Sequence, residues 1–271
     1  MKKNKILFIG AGNMGSAIIK GLNQKNNLVH EIYFYEPNEC VRNTISTKLN
    51  ANAISEINEE IANFDTVIFA VKPQVFRGFP TDKDMSKLAQ FITDSQLVLS
   101  IMAGVSISTI QDFLPNAKKI IRVMPNTPAL VGEGCTGVCA NENVSGEELE
   151  QVLTMIRSFG VAEVVPESLM DVVVGLSGSS PAYVFMFIEA MADAAVAAGM
   201  PRNQAYTFAA QAVLGSAKMV LETGKHPGEL KDMVCSPGGT TIDAVKVLEQ
   251  KGFRAAVMDA MEVCAEKSRN L

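Results

Sequence analysis

The chain has 271 residues, of which 48% are hydrophobic and 20% charged. That is ordinary globular composition, enough for one or two domains and incompatible with a disordered chain. A net charge of −5 and a pI near 5.2 leave no basic excess to neutralise phosphates, so no nucleic-acid partner is expected.

Met1-Lys2-Lys3-Asn4-Lys5 opens like the basic region of a signal peptide. The apolar stretch that follows, Ile6 to Ile9, is too short for the hydrophobic region, so a cytoplasmic protein is expected. The first 165 residues alternate short apolar runs with helical patterns, the mark of βαβ units and a parallel sheet. Strands are expected at 5–10, 31–36, 66–70, 97–101, 119–123, 136–140 and 161–165. Helices are expected at 14–24, 39–49, 56–63, 86–93, 108–113 and 146–159. The run Thr66-Val67-Ile68-Phe69-Ala70-Val71 is apolar throughout, as a strand covered on both faces should be. Ser145 with Glu148 three residues on predicts a capping box for the helix at 146.

After Pro166 the strand signals stop, and Ala, Met and Gly dominate segments of helical length. The fold class is therefore α/β, a Rossmann-type doubly wound parallel sheet over 1–165 followed by an all-α part over 166–271. Helices are expected at 182–198, 203–223, 228–234, 241–250 and 253–268. The first is apolar nearly all round and calls for burial on all sides, which predicts an obligate dimer built from these helices. Residues 172–188 form the longest uncharged, largely apolar run, but three serines and Pro181 argue against a membrane span. Five cysteines without paired spacing predict free thiols. Cys135 and Cys139 would share one strand face, yet the only histidines are His30 and His226, so no metal site is expected.

Gly10-Ala11-Gly12-Asn13-Met14-Gly15 lies between a strand and a helix. In a dinucleotide site the first glycine turns the chain and the second admits the pyrophosphate. The third lets helix and strand pack closely, and the phosphates rest on the helix N-terminus. Glu36 ends the next strand about 20 residues on, where a carboxylate accepts ribose hydroxyls and repels a 2′-phosphate, favouring NADH. Arg42 would offset that by pairing with the phosphate. The turn Ser236-Pro237-Gly238-Gly239, followed by Thr240 and Thr241 at a helix start, has two readings. It is a carboxylate receptor built of converging N–H groups, a helix dipole and the Ser236 hydroxyl, or a plain helix start capped by Thr240 or Thr241.

These two motifs stand in order with Ala70-Val71-Lys72-Pro73-Gln74, Ser100-Ile101-Met102-Ala103-Gly104, Arg122-Val123-Met124-Pro125-Asn126-Thr127-Pro128 and Leu176-Ser177-Gly178-Ser179-Ser180-Pro181-Ala182-Tyr183. The set resembles the pyrroline-5-carboxylate reductase family, from Gly10 to Phe253-Arg254-Ala255-Ala256. The resemblance implies reduction of the cyclic imine pyrroline-5-carboxylate to L-proline by NADPH or NADH, the last step of proline biosynthesis. It implies a homodimer, or a larger oligomer of dimers, with no nucleic-acid or membrane partner. By the same resemblance Gly10, Ala11, Gly12, Asn13, Met14, Gly15, Glu36, Asn58, Ala70, Val71, Lys72, Pro73, Met102, Ala103 and Asn126 contact the cofactor. Ser236, Gly238, Gly239, Thr240 and Thr241 contact the substrate, and Thr241 is the catalytic group. A β-hydroxyacid dehydrogenase is the rival enzyme, although residues 175–183 lack its lysine and Lys218 lacks the surrounding motif. A non-catalytic NAD(P)-binding sensor would leave the turn at 236–241 without a ligand.

Overall fold

The computed structural model describes residues 4–24, 30–78 and 83–270, so Met1, Lys2 and Lys3 of the basic opening lie outside it. The strands are β1 (Asn4–Ile9), β2 (His30–Tyr35), β3 (Asn52–Ile54), β4 (Thr66–Phe69), β5 (Leu97–Ser100), β6 (Lys119–Met124), β7 (Gly134–Ala140) and β8 (Gly160–Val164). They form one sheet in the order β3-β2-β1-β4-β5-β6-β7-β8. All neighbours run parallel except β6 and β7. The expected all-parallel sheet is corrected there, because the link over 125–133 is too short for a crossover helix. β3 was missed; it is a three-residue edge strand of Asn, Ala and Ile with little local strand signal.

Along β1 successive side chains feed opposite faces: Ile6 and Phe8 enter one core, Leu7 and Ile9 the other. Helices α1 (Asn13–Gln24) and α6 (Gly146–Ile156) cover the first face with Ile18, Ile19, Leu22, Val152 and Ile156. Helices α4 (Lys83–Phe91) and α5 (Ile107–Phe113) cover the second with Met85, Leu88 and Ile110. Both faces being covered explains the apolar run in β4, all of it buried. Ser145 and Glu148 form the expected capping box on α6. Helices α2 (Glu39–Lys48) and α3 (Pro73–Arg77) complete the connections, and the expected helix at 56–63 is a 3₁₀ turn, Glu59–Asn63.

Arg122 lies inside β6, within the strand expected at 119–123, and is only 6% exposed, with its Nη1 2.8 Å from Glu167 Oε1. That oxygen also accepts the Ile107 N–H at 2.8 Å, tying α5 to the segment after β8. Cys139 stands opposite Arg122 on β7. Burial, reinforced by the Glu167 carboxylate, pushes its thiol up to about 11. The unfolded thiol titrates near 9.0, so stability from this group is complete below pH 9 and is lost as pH rises toward 11. A Cys139→Ala variant should therefore lose less stability than its parent between pH 9 and 11 in urea melts. At pH 8 a maleimide should label the exposed Cys40 and leave Cys139 untouched while the fold holds. Labelling of both at one rate would contradict that burial.

The described chain divides into two compact units, one of residues 1–179 with 263–271 and the other of 180–262. The boundary read from the sequence at 165 falls inside the first unit. The segment after β8 belongs there because Met170 of helix α7 (Met170–Val173) is a core residue and Val173 packs on Gly137. A π-helical turn, Val174–Gly178, follows and ends in a bend at Ser179.

The second unit holds α8 (Ser180–Ala197), α9 (Arg202–Thr223), α10 (Pro227–Val234), α11 (Thr240–Gln250) and the start of α12 (Phe253–Arg269). α8 pairs with α9, and the guanidinium of Arg202 meets Asp193 and lies over the Tyr206 ring. Within one chain α8 lacks the all-round burial that its composition calls for. Ala192 is its one buried residue, while Phe185 is 62% and Met186 69% exposed. Residues 167–197 are long and apolar enough to cross a bilayer by length and composition, but the bend at Ser179 interrupts them.

Candidate active site

The strand order reverses direction at β1 and β4, and that switch point is where doubly wound sheets bind ligands. Gly10 sits there with φ +89°, a left-handed conformation. A Cβ on it would stand 2.8 Å from Val71 Cγ1 and 2.9 Å from the Ala70 carbonyl oxygen. A Cβ on Gly15 would meet the Gly10 carbonyl oxygen at 2.9 Å, so α1 and β1 approach closely only because both residues are glycine. Gly12 differs: nothing lies within 4 Å of its Cβ position. The first glycine turns, the third packs, and the middle one leaves open room over the N-terminus of α1, where N–H groups have no intrahelical acceptor. That room fits a pyrophosphate.

Gly10, Gly12, Glu36, Ala70, Val71 and Lys72 line one cleft of about 350 Å³. Tyr35, Val75, Asp84 and Met85 line it too, and the sequence analysis missed them. The Tyr35 hydroxyl donates to Asp84 Oδ2 at 2.6 Å, a long-range pair with no local signal. The Glu36 carboxylate accepts the Asn38 N–H at 3.1 Å, and Arg42 Nη1 donates to the Glu36 carbonyl oxygen at 2.8 Å. The Arg42 guanidinium thus bonds the Glu36 backbone. Lys72 is exposed at the start of α3, preceding Pro73. Ala11 is buried, its carbonyl oxygen accepting from Ser16 Oγ at 2.7 Å, while Asn13 is exposed and Met14 packs on the core.

Three expected cofactor residues have other partners. Asn58 Oδ1 caps the 3₁₀ turn through the Glu60 N–H at 3.0 Å, and the residue lines a separate hollow with Ser55 and Glu56. The Met102 side chain is 3% exposed in the core, which leaves its backbone and half-buried Ala103 at the end of β5. Asn126 is 7% exposed; its Nδ2 donates to the Ser177 carbonyl oxygen at 3.0 Å and its Oδ1 accepts the Cys135 N–H at 2.9 Å. Its side chain clamps the loop after β6 to β7 and to the π-helical turn.

In the second unit the Gly239 N–H donates to the Ser236 carbonyl oxygen at 3.0 Å. Pro237 takes the second position of this tight turn and Gly238 the third, at φ +67°. Helix α11 begins at Thr240, and its N-cap is Gly239, which has no side chain to offer. Neither Thr240 nor Thr241 is the cap, so the plain capped-start alternative fails. The first-turn N–H groups of α11 keep no side-chain acceptor, and Ser236 stands exposed beside them. This is the donor set that a small carboxylate requires. His226 is used elsewhere, its Nδ1 accepting the Gly228 N–H at 3.0 Å to cap α10.

A family model described as pyrroline-5-carboxylate reductase dimerisation matches residues 167–271, and one described as NADP oxidoreductase, coenzyme F420-dependent, matches residues 5–104. A pyrroline-5-carboxylate reductase of Escherichia coli is 54% identical over 271 residues, which is 99% of this chain and 98% of the relative. The chain belongs to the pyrroline-5-carboxylate reductase family. A reductase of Methanosarcina acetivorans is 45% identical across 100% of this chain and 99% of its own. A crystal structure of the Plasmodium falciparum pyrroline carboxylate reductase with NADP bound superposes with a TM-score of 0.87 at 32% identity, covering 100% and 98% of the two chains. Membership in the reductase family removes the β-hydroxyacid dehydrogenase rival. Lys218 is 66% exposed in an i,i+4 pair with Glu222.

Proposed function

We infer that the chain is a pyrroline-5-carboxylate reductase, an NAD(P)H-dependent oxidoreductase that reduces the C=N bond of the cyclic imine to L-proline. The single observation that carries the substrate assignment is the uncapped N-terminus of α11 behind the Ser236–Gly239 turn. The substrate carboxylate rests on the N–H groups of Gly238 and Thr240 and on the Ser236 hydroxyl, with Gly239 closing the turn that aims them. The Thr241 hydroxyl hydrogen-bonds the ring nitrogen, whose electron density rises as its carbon neighbour is reduced. Bound NADPH or NADH supplies the hydride. Gly10 to Gly15 cradle its pyrophosphate, Glu36 meets the adenosine ribose, Lys72 offers a cation, and backbone at 70–73 and 102–103 walls the cleft. Asn58 contributes its Nδ2 group, and Asn126 acts from its backbone. Initial rates with pyrroline-5-carboxylate and each cofactor test the assignment; binding of cofactor without turnover would overturn it.

Residues 166–271 form the substrate-binding and dimerisation domain, and two copies pair through the bare faces of α8 and α9. The family model over 167–271 and the exposure of Phe185 and Met186 support this reading. All five cysteines are free thiols, which fits a reducing cytoplasm.

Glu36→Ser should weaken NADH by about 1–3 kcal/mol, the worth of charge-assisted bonds to ribose hydroxyls, and weaken NADPH less. Dissociation constants from fluorescence titration of both cofactors check this. Equal losses would make Glu36 a bystander.

A further inference from the structure

One charged group at the cofactor cleft has no part in the pyrophosphate or ribose contacts. Asp84 lies in the first turn of α4, half-buried, and lines the cleft together with Gly10, Glu36 and Lys72. The helix dipole alone would explain a first-turn acid standing in solvent. Asp84 is held instead, because the Tyr35 hydroxyl donates to its Oδ2 at 2.6 Å, from 49 positions away in the chain. Tyr35 is 4% exposed at the end of β2 and shares a core with Met85 and Leu88 of α4, so the donor is itself fixed. The bond ties Asp84 to the β2 side of the cleft, beside the residue that precedes Glu36. A carboxylate has about four lone-pair sites, so the tyrosine orients it without exhausting it.

We propose that Asp84, oriented by Tyr35, accepts a hydrogen bond from the 6-amino group of adenine and so selects the base of the dinucleotide. The inference rests on the NAD(P)H assignment, in which Glu36 meets the adenosine ribose, and adds a residue to it. The base follows the ribose, and Val71, Val75 and Met85 of the same cleft offer its ring apolar surface. In a nucleotide the 6-amino group carries the only N–H donors of adenine, and a carboxylate can only accept. Hypoxanthine puts a 6-oxo acceptor in that place, facing the carboxylate lone pairs, and its N1–H lies one ring position away. A lysine would favour hypoxanthine, but Lys72 follows β4, two strands from Tyr35 in the sheet order.

The test titrates NADH and reduced nicotinamide hypoxanthine dinucleotide into the full-length protein, with dissociation constants read from nicotinamide fluorescence. The expected result is a preference for adenine of at least about tenfold, the worth of one hydrogen bond to a charged group. Asp84→Asn keeps the size of the side chain and an acceptor for Tyr35, so circular dichroism should not change. Its amide can turn to accept from an amino group or to donate to an oxo group. The adenine preference should therefore shrink at least about fivefold, while the ratio of NADPH to NADH affinity moves less. Equal affinity for the two bases in the parent, a preference for hypoxanthine, or an unchanged adenine preference in Asp84→Asn would each overturn the proposal. A larger change in the NADPH to NADH ratio than in the base ratio would place Asp84 at the ribose and overturn it too. Failure of the parent to bind either dinucleotide would overturn the cofactor assignment itself, and this proposal with it.

Discussion

Replacing Phe185 with aspartate is expected to turn the protein into monomers, read by sedimentation velocity at micromolar concentration. Phe185 lies on α8, 62% exposed in the single chain beside Met186 at 69%, and Phe208 of α9 is 65% exposed. Large apolar side chains bared together mark a surface that meets a partner. Burying an unpaired charge costs roughly 3–5 kcal/mol. At about 1.4 kcal/mol per decade, each copy should raise the dissociation constant at least about a hundredfold. Phe185 has little packing to lose within its own chain, so circular dichroism should hardly change. A parent protein that sediments as a monomer would sink the dimer reading. A Phe185→Asp protein that stays dimeric would move the interface off this part of α8.

Thr241→Val should lower kcat/KM for pyrroline-5-carboxylate about ten- to hundredfold. The substitution keeps the β-branch and nearly the same volume, so the loss of the hydroxyl should dominate. One hydrogen bond to a reacting, partly charged nitrogen is worth about 1.5–3 kcal/mol. Thr241 is not the N-cap of α11, so no capping energy is lost with it. Cofactor affinity should stay constant, because the glycine turn belongs to the other unit. Ser236→Ala should act differently, raising KM more than it lowers kcat, since a carboxylate is bound alike in ground and transition states. A folded Thr241→Val enzyme with parental efficiency would assign the ring nitrogen to water or another group.

The glycine turn was legible because each glycine has its own steric reason, and the structure separates those reasons at Gly10, Gly12 and Gly15. Strand positions were legible because a sheet covered on both faces demands unbroken apolar runs such as 66–69. The reversal at β7 was not, since periodicity records which side chains are buried and not the direction of the chain. The partners of Asn126 were equally hidden: its hydrogen bonds reach Ser177, 51 positions away, and no local pattern encodes them. The N-cap at Gly239 could not be told from a capping threonine without φ and ψ, because Thr is itself a favoured cap.

The final helix has a consequence for how the protein is made. Residues 263–271 belong to the first unit, where Ser268 Oγ donates to Asp171 Oδ1 at 2.6 Å and Cys264 Sγ lies 3.1 Å from Ser179 Oγ. On a ribosome the segment up to 179 emerges early, but these partners follow only after the intervening 180–262. At about 5–20 residues per second that interval lasts roughly 4–17 s. The nucleotide-binding unit is therefore finished last, after the helices it precedes, and truncation within α12 should unsettle the oldest part of the nascent chain rather than the newest.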